Sequence, residues 1–325
     1  MASLSDISRH AGVSIATCSR VLNGSAHPVS EATRTRVLNA AQELGYAPSA
    51  LARALVTRSS RIIGVIVGDI VDPYFAEIAR GVEQVGADLG YLTMVCSAEV
   101  GTEAELGHLR QLRDYHAAGI VFAGSGRGND PSARDLAAAV ADARARGSVI
   151  VALAQRDFDA PSIVFDNEAV AHDITAYVKG LGHARVTFVE GPQHLHTSAL
   201  RLRGFQRAGG TDRVAGGFSY EDGLRAADVL LARERLPDAV VAANDEAAIG
   251  VLMRLRDRGV DVPAQVSIAG IDDTRPAHFV GLTTVSVPLH EMGKRAAHTV
   301  LGAYNAEDVV LPHRLAPRST TAQRA

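Results

Sequence analysis

The 325-residue sequence predicts a small all-α module followed by a larger two-lobed α/β core with parallel sheets and Rossmann-like lobes. Three observations predict this arrangement. Helix-start signals and helical spacing of apolar residues fill residues 3–46, short apolar runs alternate with helical patterns from Arg61 onward, and this alternation restarts near Val186. Hydrophobic residues at 47% and charged residues at 21% are typical of an ordinary folded chain, so we expect no long disordered region.

The N-terminal module carries the signals of a helix-turn-helix. Ser3 and Asp6 have the spacing of a capping box, which indicates that a first helix begins here. Gly12 permits the left-handed backbone of a tight helix exit, and Ser14 can cap a second helix over residues 15–22. Two short helices joined by a turn that contains glycine make a helix-turn-helix.

The second helix displays side chains suited to reading DNA. A major groove admits one helix and is read by short polar groups and arginine near the N-terminus of that helix, while thymine methyl groups accept apolar contacts. Arg20 could read a base or clamp a phosphate, and the sequence leaves both open. A third helix over about residues 30–45 places Arg34 as a candidate phosphate contact. The predicted contacts on and beside the second helix are Ser14, Ile15, Ala16, Thr17, Ser19, Arg20 and Asn23.

The net charge divides unevenly along the chain. The whole sequence carries −3, but residues 1–60 contain six arginines and three carboxylates, so this part carries +3 and the remainder −6. A basic end is what binding to DNA phosphates needs. The two cysteines, Cys18 and Cys96, are too few to indicate a disulfide framework and fit a reducing cytoplasm.

Five stretches carry a resemblance to a known family: Ala11-Gly12-Val13-Ser14, Ser19-Arg20-Val21-Leu22-Asn23, Val29-Ser30, Thr33-Arg34 and Leu44-Gly45-Tyr46-Ala47-Pro48. They closely resemble the lactose repressor (LacI/GalR) family of bacterial transcription regulators. The resemblance implies a hinge helix in residues 47–60, which orders on operator DNA. It places Ala52, Arg53 and Leu55 at the DNA, with Leu55 wedged into a central base step from the minor groove.

The region from Arg61 onward alternates predicted strands with predicted helices. Buried strands that alternate with helices indicate a parallel sheet covered on both faces. Two such lobes leave a cleft outside the carboxyl ends of their strands, where ligands bind in sheets of this kind. The predicted strands are 62–67, 92–96, 119–123 and 149–153 in the first lobe and 186–189, 239–243 and 266–270 in the second, with second-lobe helices near 168–181, 197–208, 222–233 and 246–258.

Motifs in the core extend the resemblance over essentially the full chain. They include Asp72-Pro73-Tyr74-Phe75, Arg201-Leu202-Arg203-Gly204-Phe205, Ala243-Asn244-Asp245-Glu246 and Ile271-Asp272-Asp273. The resemblance implies a periplasmic-binding-protein-like core that binds an effector between its lobes. Gln155 stands where many relatives have a carboxylate or asparagine, so relatives are a poor guide to effector identity. Carried over position by position, the predicted effector contacts are Tyr74, Phe75, Gln155, Arg201, Phe218, Asn244 and Asp272.

The chemistry of this set predicts the class of effector. An arginine with acid and amide acceptors in a mostly apolar cleft suits vicinal hydroxyls, so a sugar or glycoside is expected and a nucleoside or purine is next. We expect no cofactor and no metal. His194 and His196 alternate in a loop and could bind a metal, but no third ligand has suitable spacing.

Three other motifs have a plain structural interpretation beside the functional one. Asp166-Asn167 at a strand end indicates a turn and helix-capping pair rather than ligand contacts. The glycine-rich residues 124–128 lack the dinucleotide spacing and are typical of a flexible loop. Tyr74 and Phe75 could belong to the core or to the cleft wall, and the sequence does not decide.

The sequence as a whole predicts an effector-controlled transcription regulator, most simply a repressor of a catabolic operon. We expect a DNA-binding domain over 1–46, a hinge over 47–60 and an effector-binding and dimerisation domain over 61–325, with crossovers near residues 158, 287 and 317. A homodimer on a pseudo-palindromic operator is expected, because no leucine heptads for a tetramer follow Thr320.

Two other classes of protein are weighed against this one. A transport-type solute-binding protein shares the two-lobed fold but needs a signal peptide, and an enzyme needs a catalytic motif that the chain lacks. No apolar run approaches membrane-spanning length, so we expect a cytoplasmic protein without membrane contact.

Overall fold

The structure is a computed structural model that describes residues 2–22, 27–46, 60–98, 101–128 and 130–324. The chain divides into two compact units, Met1–Arg61 and Ile62–Ala325. Four of the predicted DNA contacts lie outside the described residues: Asn23, Ala52, Arg53 and Leu55.

The N-terminal unit contains helices α1 (Leu4–Ala11), α2 (Ile15–Leu22) and α3 (Glu31–Glu43). The predicted capping box is present, because the Ser3 hydroxyl accepts a hydrogen bond from the Asp6 amide and the Asp6 carboxylate accepts one from the Ser3 amide. Gly12 ends α1 with a left-handed φ of 63°. The three helices enclose a small apolar core of Ile7, Ala11, Cys18, Val21, Val37, Ala40 and Ala41.

The larger unit alternates strands and helices. It begins with β1 (Ile62–Val67), α4 (Pro73–Asp88), β2 (Leu92–Ser97), α5 (Thr102–Asp114), β3 (Gly119–Phe122), α6 (Ala133–Ala145) and β4 (Val149–Ala152). It continues with β5 (Ile163–Phe165), α7 (Asn167–Gly180), β6 (Val186–Val189), α8 (His196–Arg207), β7 (Asp212–Val214), α9 (Tyr220–Leu231), β8 (Ala239–Ala242), α10 (Asp245–Asp257) and β9 (Ser267–Ala269). It ends with α11 (Arg275–Val280), β10 (Thr284–Ser286), α12 (Leu289–Val300), β11 (Val309–Leu311) and β12 (Arg314–Ala316).

Two four-stranded parallel sheets form the centres of two lobes. Their strand orders are β2-β1-β3-β4 in the first lobe and β7-β6-β8-β9 in the second. Every residue of β3, β6 and β8 is buried, as in strands covered on both faces. Both lobes have the same strand order, and residues that follow the carboxyl ends of their strands line the cleft between them.

The chain passes between the lobes more than once. It leaves the first lobe after β4, and α12 later returns to pack against α4 in that lobe. β11 pairs with β5, and β12 pairs with β10. Near the end of the chain, the Thr320 carbonyl accepts a hydrogen bond of 2.8 Å from the Ile268 amide of the second lobe.

Two pairs of helices approach each other so closely that glycine is required at the crossing. Helix α4 packs against α12, and α9 packs against α10. A Cβ on Gly293 of α12 would clash with the carbonyl oxygen of Ile78, and one on Gly250 of α10 would clash with that of Tyr220. Backbone atoms cannot move aside as side chains do, so these glycines set how closely the helices approach.

The fold class that the sequence predicts is confirmed, with an all-α module before two parallel α/β lobes. Helix α2 has the predicted bounds, and the four predicted second-lobe helices agree to within two residues. Strands β5, β7, β10, β11 and β12 were not predicted, because three residues are too few to show an alternating pattern. Among the described residues, no helix is long and apolar enough to cross a membrane.

The helix crossing at Gly293 can be tested by substitution. We expect Gly293→Ala to lower the free energy of unfolding by about 2 to 4 kcal/mol, because the added methyl group meets backbone atoms. Gly107→Ala is the matched control: it lies inside α5 with no atom within 4 Å of the added Cβ, and should raise the free energy by about 0.5 to 1 kcal/mol. Urea denaturation followed by circular dichroism measures both. Equal effects of the two substitutions would contradict the close crossing.

Candidate functional site

Helix α2 presents one buried and one exposed face. Cys18 and Val21 are buried in the core of the module, whereas 51% of the Ile15 surface is exposed to solvent. The other outward residues of the helix and its start are exposed at Ser14, Ala16 and Arg20 and partly exposed at Thr17 and Ser19. The predicted contacts on α2 therefore lie on an accessible face of one helix, the element that a major groove admits.

The start of α2 is held by its own side chains. The Ser14 hydroxyl accepts a hydrogen bond of 3.1 Å from the Thr17 amide and lies 2.9 Å from the Thr17 hydroxyl. This is the cap that the sequence predicts. On α3, the Arg34 Nε lies 3.8 Å from a carboxylate oxygen of Glu31, and 37% of the arginine side chain is exposed to solvent. Arg34 is thus free enough to reach a phosphate.

A cavity of about 650 Å³ lies between the two lobes of the larger unit, at the carboxyl ends of their strands. This is the position at which open parallel sheets bind ligands, and the volume suits a small molecule. Six of the seven predicted effector contacts line it: Tyr74, Phe75, Arg201, Phe218, Asn244 and Asp272.

Gln155 is the exception and requires a correction. Its side chain is exposed and is not part of the cavity lining, although the preceding Ala154 is. The main chain explains this placement, because the Gln155 carbonyl accepts a hydrogen bond of 2.8 Å from the Gly126 amide. The residue supports the neighbouring loop with its backbone, and its side chain is directed elsewhere.

The Arg201 guanidinium is buried and fully engaged. Its Nε donates to the Asn167 side-chain oxygen at 2.8 Å, its Nη1 donates to the Ala243 carbonyl, and its Nη2 donates to the Asp272 carboxylate at 2.9 Å. The Phe218 ring lies 5.9 Å from the guanidinium carbon, within range of a cation–π contact. Arg201 therefore ties together three elements of the second lobe and one aromatic wall of the cavity.

Asn167 is a site residue that the sequence interpretation missed. Asp166 does cap α7, accepting a hydrogen bond of 2.9 Å from the Ala169 amide, so half of the predicted capping pair is confirmed. Asn167 is instead buried as a partner of Arg201. Its position beside a helix cap is visible in the sequence, but sequence spacing gives no reason to connect it with an arginine 34 residues away.

Asn244 and Asp272 take their positions from the ends of β8 and β9. The Asn244 side chain caps α10 by accepting from the Ala247 amide at 3.0 Å, and it donates to the Phe218 carbonyl at 2.8 Å. Asp272 has a positive φ of 124°, a strained backbone for a residue with a side chain. Burial raises the pKa of Asp272 to about 6, although Arg201 acts in the opposite direction.

A second carboxylate lies buried behind this wall. Asp245 accepts hydrogen bonds from the Thr274 amide at 2.8 Å and from the Thr284 hydroxyl at 2.6 Å. Burial and the nearby Asp272 raise the pKa of Asp245 well above its ordinary value. These hydrogen bonds fix the loop that carries Asp272, so the cavity wall is held in place before any ligand arrives.

Tyr74 and Phe75 form the aromatic wall contributed by the first lobe. Their rings meet edge to face with centroids 5.0 Å apart. Both are partly buried, and they line the cavity while also packing against the hydrophobic core, so they belong to the wall and to the edge of the core together. The hydroxyl group of Tyr74 makes this wall amphipathic, so it can contact an apolar ring face and a polar group together.

The two lobes also touch directly through the loops after β3 and β6. The Gly128 amide donates to the His194 carbonyl at 2.9 Å, and the His196 amide donates to the Gly126 carbonyl at 3.1 Å. The side chains extend this contact, since Arg127 Nη1 lies 2.8 Å from His194 Nε2. The glycine-rich loop is therefore an inter-lobe contact beside the cavity.

The two histidines have partners other than a metal. His196 Nε2 lies 2.7 Å from a carboxylate oxygen of Asp157, in the segment after β4. Burial and the nearby Arg127 lower the pKa of His194, which favours its neutral form. Within the ranges that the structure describes, no three histidine, cysteine or carboxylate side chains are grouped as a metal site requires.

Comparison with known proteins gives consistent matches. Residues 3–49 match the model of bacterial regulatory proteins of the lacI family, and residues 175–324 match a periplasmic binding protein-like domain. The ribose operon repressor of Bacillus subtilis is 34% identical, with 93% of this chain and 91% of the relative covered. Catabolite control protein A of Priestia megaterium is 32% identical, with 97% and 98% covered.

A solved structure agrees over the same length. The crystal structure of the lac repressor dimer bound to operator and the anti-inducer ONPF is similar with a TM-score of 0.84 and 25% identity, and 99% of each chain is covered. These similar proteins are regulators of transcription and not enzymes. With a helix-turn-helix unit, an inter-lobe cavity and full-length relatives above 30% identity, the chain belongs to the lacI family of bacterial regulatory proteins and is a DNA-binding regulator of transcription.

Proposed function

We propose that the protein is a homodimeric repressor of a catabolic operon, released from or recruited to its operator by a small molecule bound between the lobes. The observation that carries the proposal is the occurrence in one chain of a capped, outward-facing α2 and of a preformed cavity lined by aromatic and polar groups. The first is a device for reading DNA, and the second is a device for sensing a metabolite.

The operator half of the proposal rests on the N-terminal unit. Two copies of α2 in a homodimer read two half-sites, so the operator is an approximate palindrome. Residues 47–60 act as the hinge, with Ala52, Arg53 and Leu55 at the minor groove and Leu55 as the wedge that kinks the centre. Repression takes place in the cytoplasm, where the DNA is.

The effector half rests on the cavity. Aromatic side chains on both lobes can contact a ring, while Asn244, Asp272 and Arg201 supply polar groups beside it. This combination suits a sugar or glycoside, and a nucleoside or purine is the next choice. The name of the relative that is a ribose operon repressor supports a gene target in sugar use.

In this proposal, binding at the two sites is coupled through two arrangements of the lobes that differ in affinity for effector and for operator. A ligand that changes the preferred closure of the lobes changes the affinity for operator, and operator changes the affinity for ligand by the same factor. The coupling energy is expected to be about 1 to 3 kcal/mol, that is about 5- to 150-fold in affinity. The effector does not have to bind tightly; it has to bind one conformation of the lobes more tightly than the other.

The role of Arg20 can be tested on an operator selected from random duplexes. We expect Arg20→Ala to weaken operator binding about 10-fold or more, because an exposed arginine on the reading helix is lost. Fluorescence anisotropy at several salt concentrations separates the two alternatives. Relaxed specificity at one base pair identifies a base reader, whereas uniform weakening with a smaller salt slope identifies a phosphate clamp.

The matched control is Arg9→Ala. Arg9 is an exposed arginine of the same unit, on α1 beside Asp6, so its removal changes the charge equally without touching α2. If both variants bind the selected operator as the parent does, α2 is not the reading helix and the operator half of the proposal fails.

Arg201 tests the effector half. We expect Arg201→Lys to remain folded and to bind operator normally, because the buried Asp272 keeps a cationic partner. A lysine cannot serve Asn167, Ala243 and Asp272 together, so the cavity wall loosens and the effector response weakens at least about 10-fold. The measurement is the concentration of effector at which the change in operator binding is half complete.

The control for this substitution is Arg203→Lys. Arg203 lies on the same helix, is largely exposed and, among the described residues, pairs only with Glu168. Its change to lysine should leave the binding of operator and of effector as in the parent. An unaltered effector response in Arg201→Lys would remove Arg201 from the effector site.

A further inference from the structure

We propose that the cavity selects a small hydroxyl-rich organic cation, an amino sugar or closely related amine, over the neutral or phosphorylated counterpart. The proposal rests on the proposed function, since it names the chemical class of the effector. It is carried by the distribution of charge on the cavity wall.

The cavity wall contains far more carboxylates than cations. Two arginines line it, Arg127 and Arg201. Seven carboxylates line the same space: Asp69, Asp72, Glu105, Glu221, Asp222, Glu246 and Asp272. A neutral sugar does not need such an excess of acid, and a phosphorylated ligand would be repelled by it.

Three of these carboxylates are already neutralised by arginines. Asp272 pairs with Arg201 at 2.9 Å, and Asp222 pairs with Arg225. Glu105 and Arg156 form a two-armed pair with distances of 2.9 and 2.5 Å. These pairs belong to the framework of the wall, so their arginines do not offset the charge of the remaining carboxylates.

Asp72 and Glu246 have no such partner among the described residues. Asp72 stands at the start of α4 in the first lobe, and its carboxylate accepts a hydrogen bond of 2.9 Å from the Tyr74 amide. Glu246 stands in the first turn of α10 in the second lobe, and one of its carboxylate oxygens is fully buried without a hydrogen-bond partner. A buried carboxylate oxygen without a hydrogen-bond partner in the protein can accept a hydrogen bond from a donor that a ligand brings.

The pKa values of Asp72 and Glu246 show that the ionised carboxylates are destabilised in the cavity. Burial, followed by the negative charges of Asp272, Glu246 and Asp69, raises the pKa of Asp72 to about 7. Burial and Glu221 raise the pKa of Glu246. An ammonium group placed among these carboxylates would offset the repulsion and supply the donor that Glu246 lacks.

The geometry also disfavours an anion. Helix N-termini at α4, α9 and α10 border the cavity, and such termini can bind phosphate through their free amides. Here one amide at each terminus is engaged by a side-chain cap: Tyr74 donates to Asp72, Asp222 to Ser219 and Ala247 to Asn244. A phosphate would have to displace a cap and then face the carboxylates.

A cation held between Asp72 and Glu246 would contact both lobes. Those residues begin helices on opposite sides of the cleft, so their shared ligand favours the closed arrangement. Tyr74 and Phe75 add aromatic faces that attract an ammonium group. The charge of the ligand thereby becomes the signal that moves the lobes.

The test is thermal melting of the full chain at pH 7.5 against three matched series. Each series contains the neutral hexose, its 2-amino form and its 6-phosphate, for glucose, galactose and mannose. We expect an amine to raise the melting midpoint at a concentration at least about 10-fold lower than its neutral partner, with no response to the phosphates. A stronger response to a neutral or phosphorylated member, or no response to any amine, overturns the proposal.

A stronger neutral response would leave the proposed effector control intact, so the two failures are distinguishable. Failure of the proposed function would instead appear as absent operator binding or as an operator affinity that no ligand alters.

Glu246→Gln isolates the charge. We expect it to remove most of the preference for the amine over the neutral sugar, because the amide keeps the size and polarity of the side chain but carries no negative charge. Glu234→Gln, an exposed carboxylate of the same lobe, is the control and should behave as the parent. Equal loss for amine and neutral sugar in Glu246→Gln would show a structural role and overturn the proposal.

Asp72→Asn tests the excess of negative charge without any ligand. The groups facing Asp72 are acidic or phenolic: Asp69, Tyr74, Glu246 and Asp272. Because the folded-state pKa lies above the unfolded value, the parent loses stability as pH rises toward 7, whereas asparagine still caps and does not ionise. We expect the variant to melt higher than the parent at pH 8 and the difference to shrink at pH 5. If the parent and the variant melt at the same temperature at pH 8, the negative charge around Asp72 does not destabilise the protein, and the proposal loses its premise.

Discussion

The buried Arg201 guanidinium is the interaction on which the cavity depends. It joins the start of α7 through Asn167, the end of β8 through Ala243 and the loop after β9 through Asp272. A buried charge without partners would cost several kcal/mol, so each of these elements is constrained to supply one. The second lobe consequently presents a rigid wall, and the ordering of side chains does not have to be repeated when a ligand binds.

The helix N-termini around the cavity give it its chemical character. Asp72, Ser219 and Asn244 cap α4, α9 and α10, and each cap uses a backbone amide that could otherwise have bound an anion. The helix dipole favours the acids at these helix starts, which are the Asp72 cap of α4 and first-turn residues of α9 and α10. Four of the seven cavity carboxylates lie at these starts: Asp72, Glu221, Asp222 and Glu246. The helix starts therefore supply most of the negative charge that decides which ligands are acceptable.

Sequence reasoning recovered the elements better than the contacts. The capping box at Ser3 and the bounds of α2 follow from local chemistry, and six of the residues that the family resemblance places at the effector line the cavity. Asn167 was missed and Gln155 was misplaced, because burial beside a distant arginine and the direction of one side chain depend on packing across the lobe. Such facts are tertiary, and no periodicity in the chain encodes them.

The same limit applies to the loops that join the lobes. The spacing of His194 and His196 gave no indication of their neighbours, which are Arg127 and Asp157 on the opposite side of the cleft. Contacts between Gly126, Gly128 and the histidine loop lie beside the cavity and join the same two lobes that line it. If the loop contacts already favour one arrangement, the ligand need supply only the remaining difference in free energy. A modest effector can then control the lobes, because the loop contacts set the starting equilibrium and the cavity charge decides which molecule shifts it.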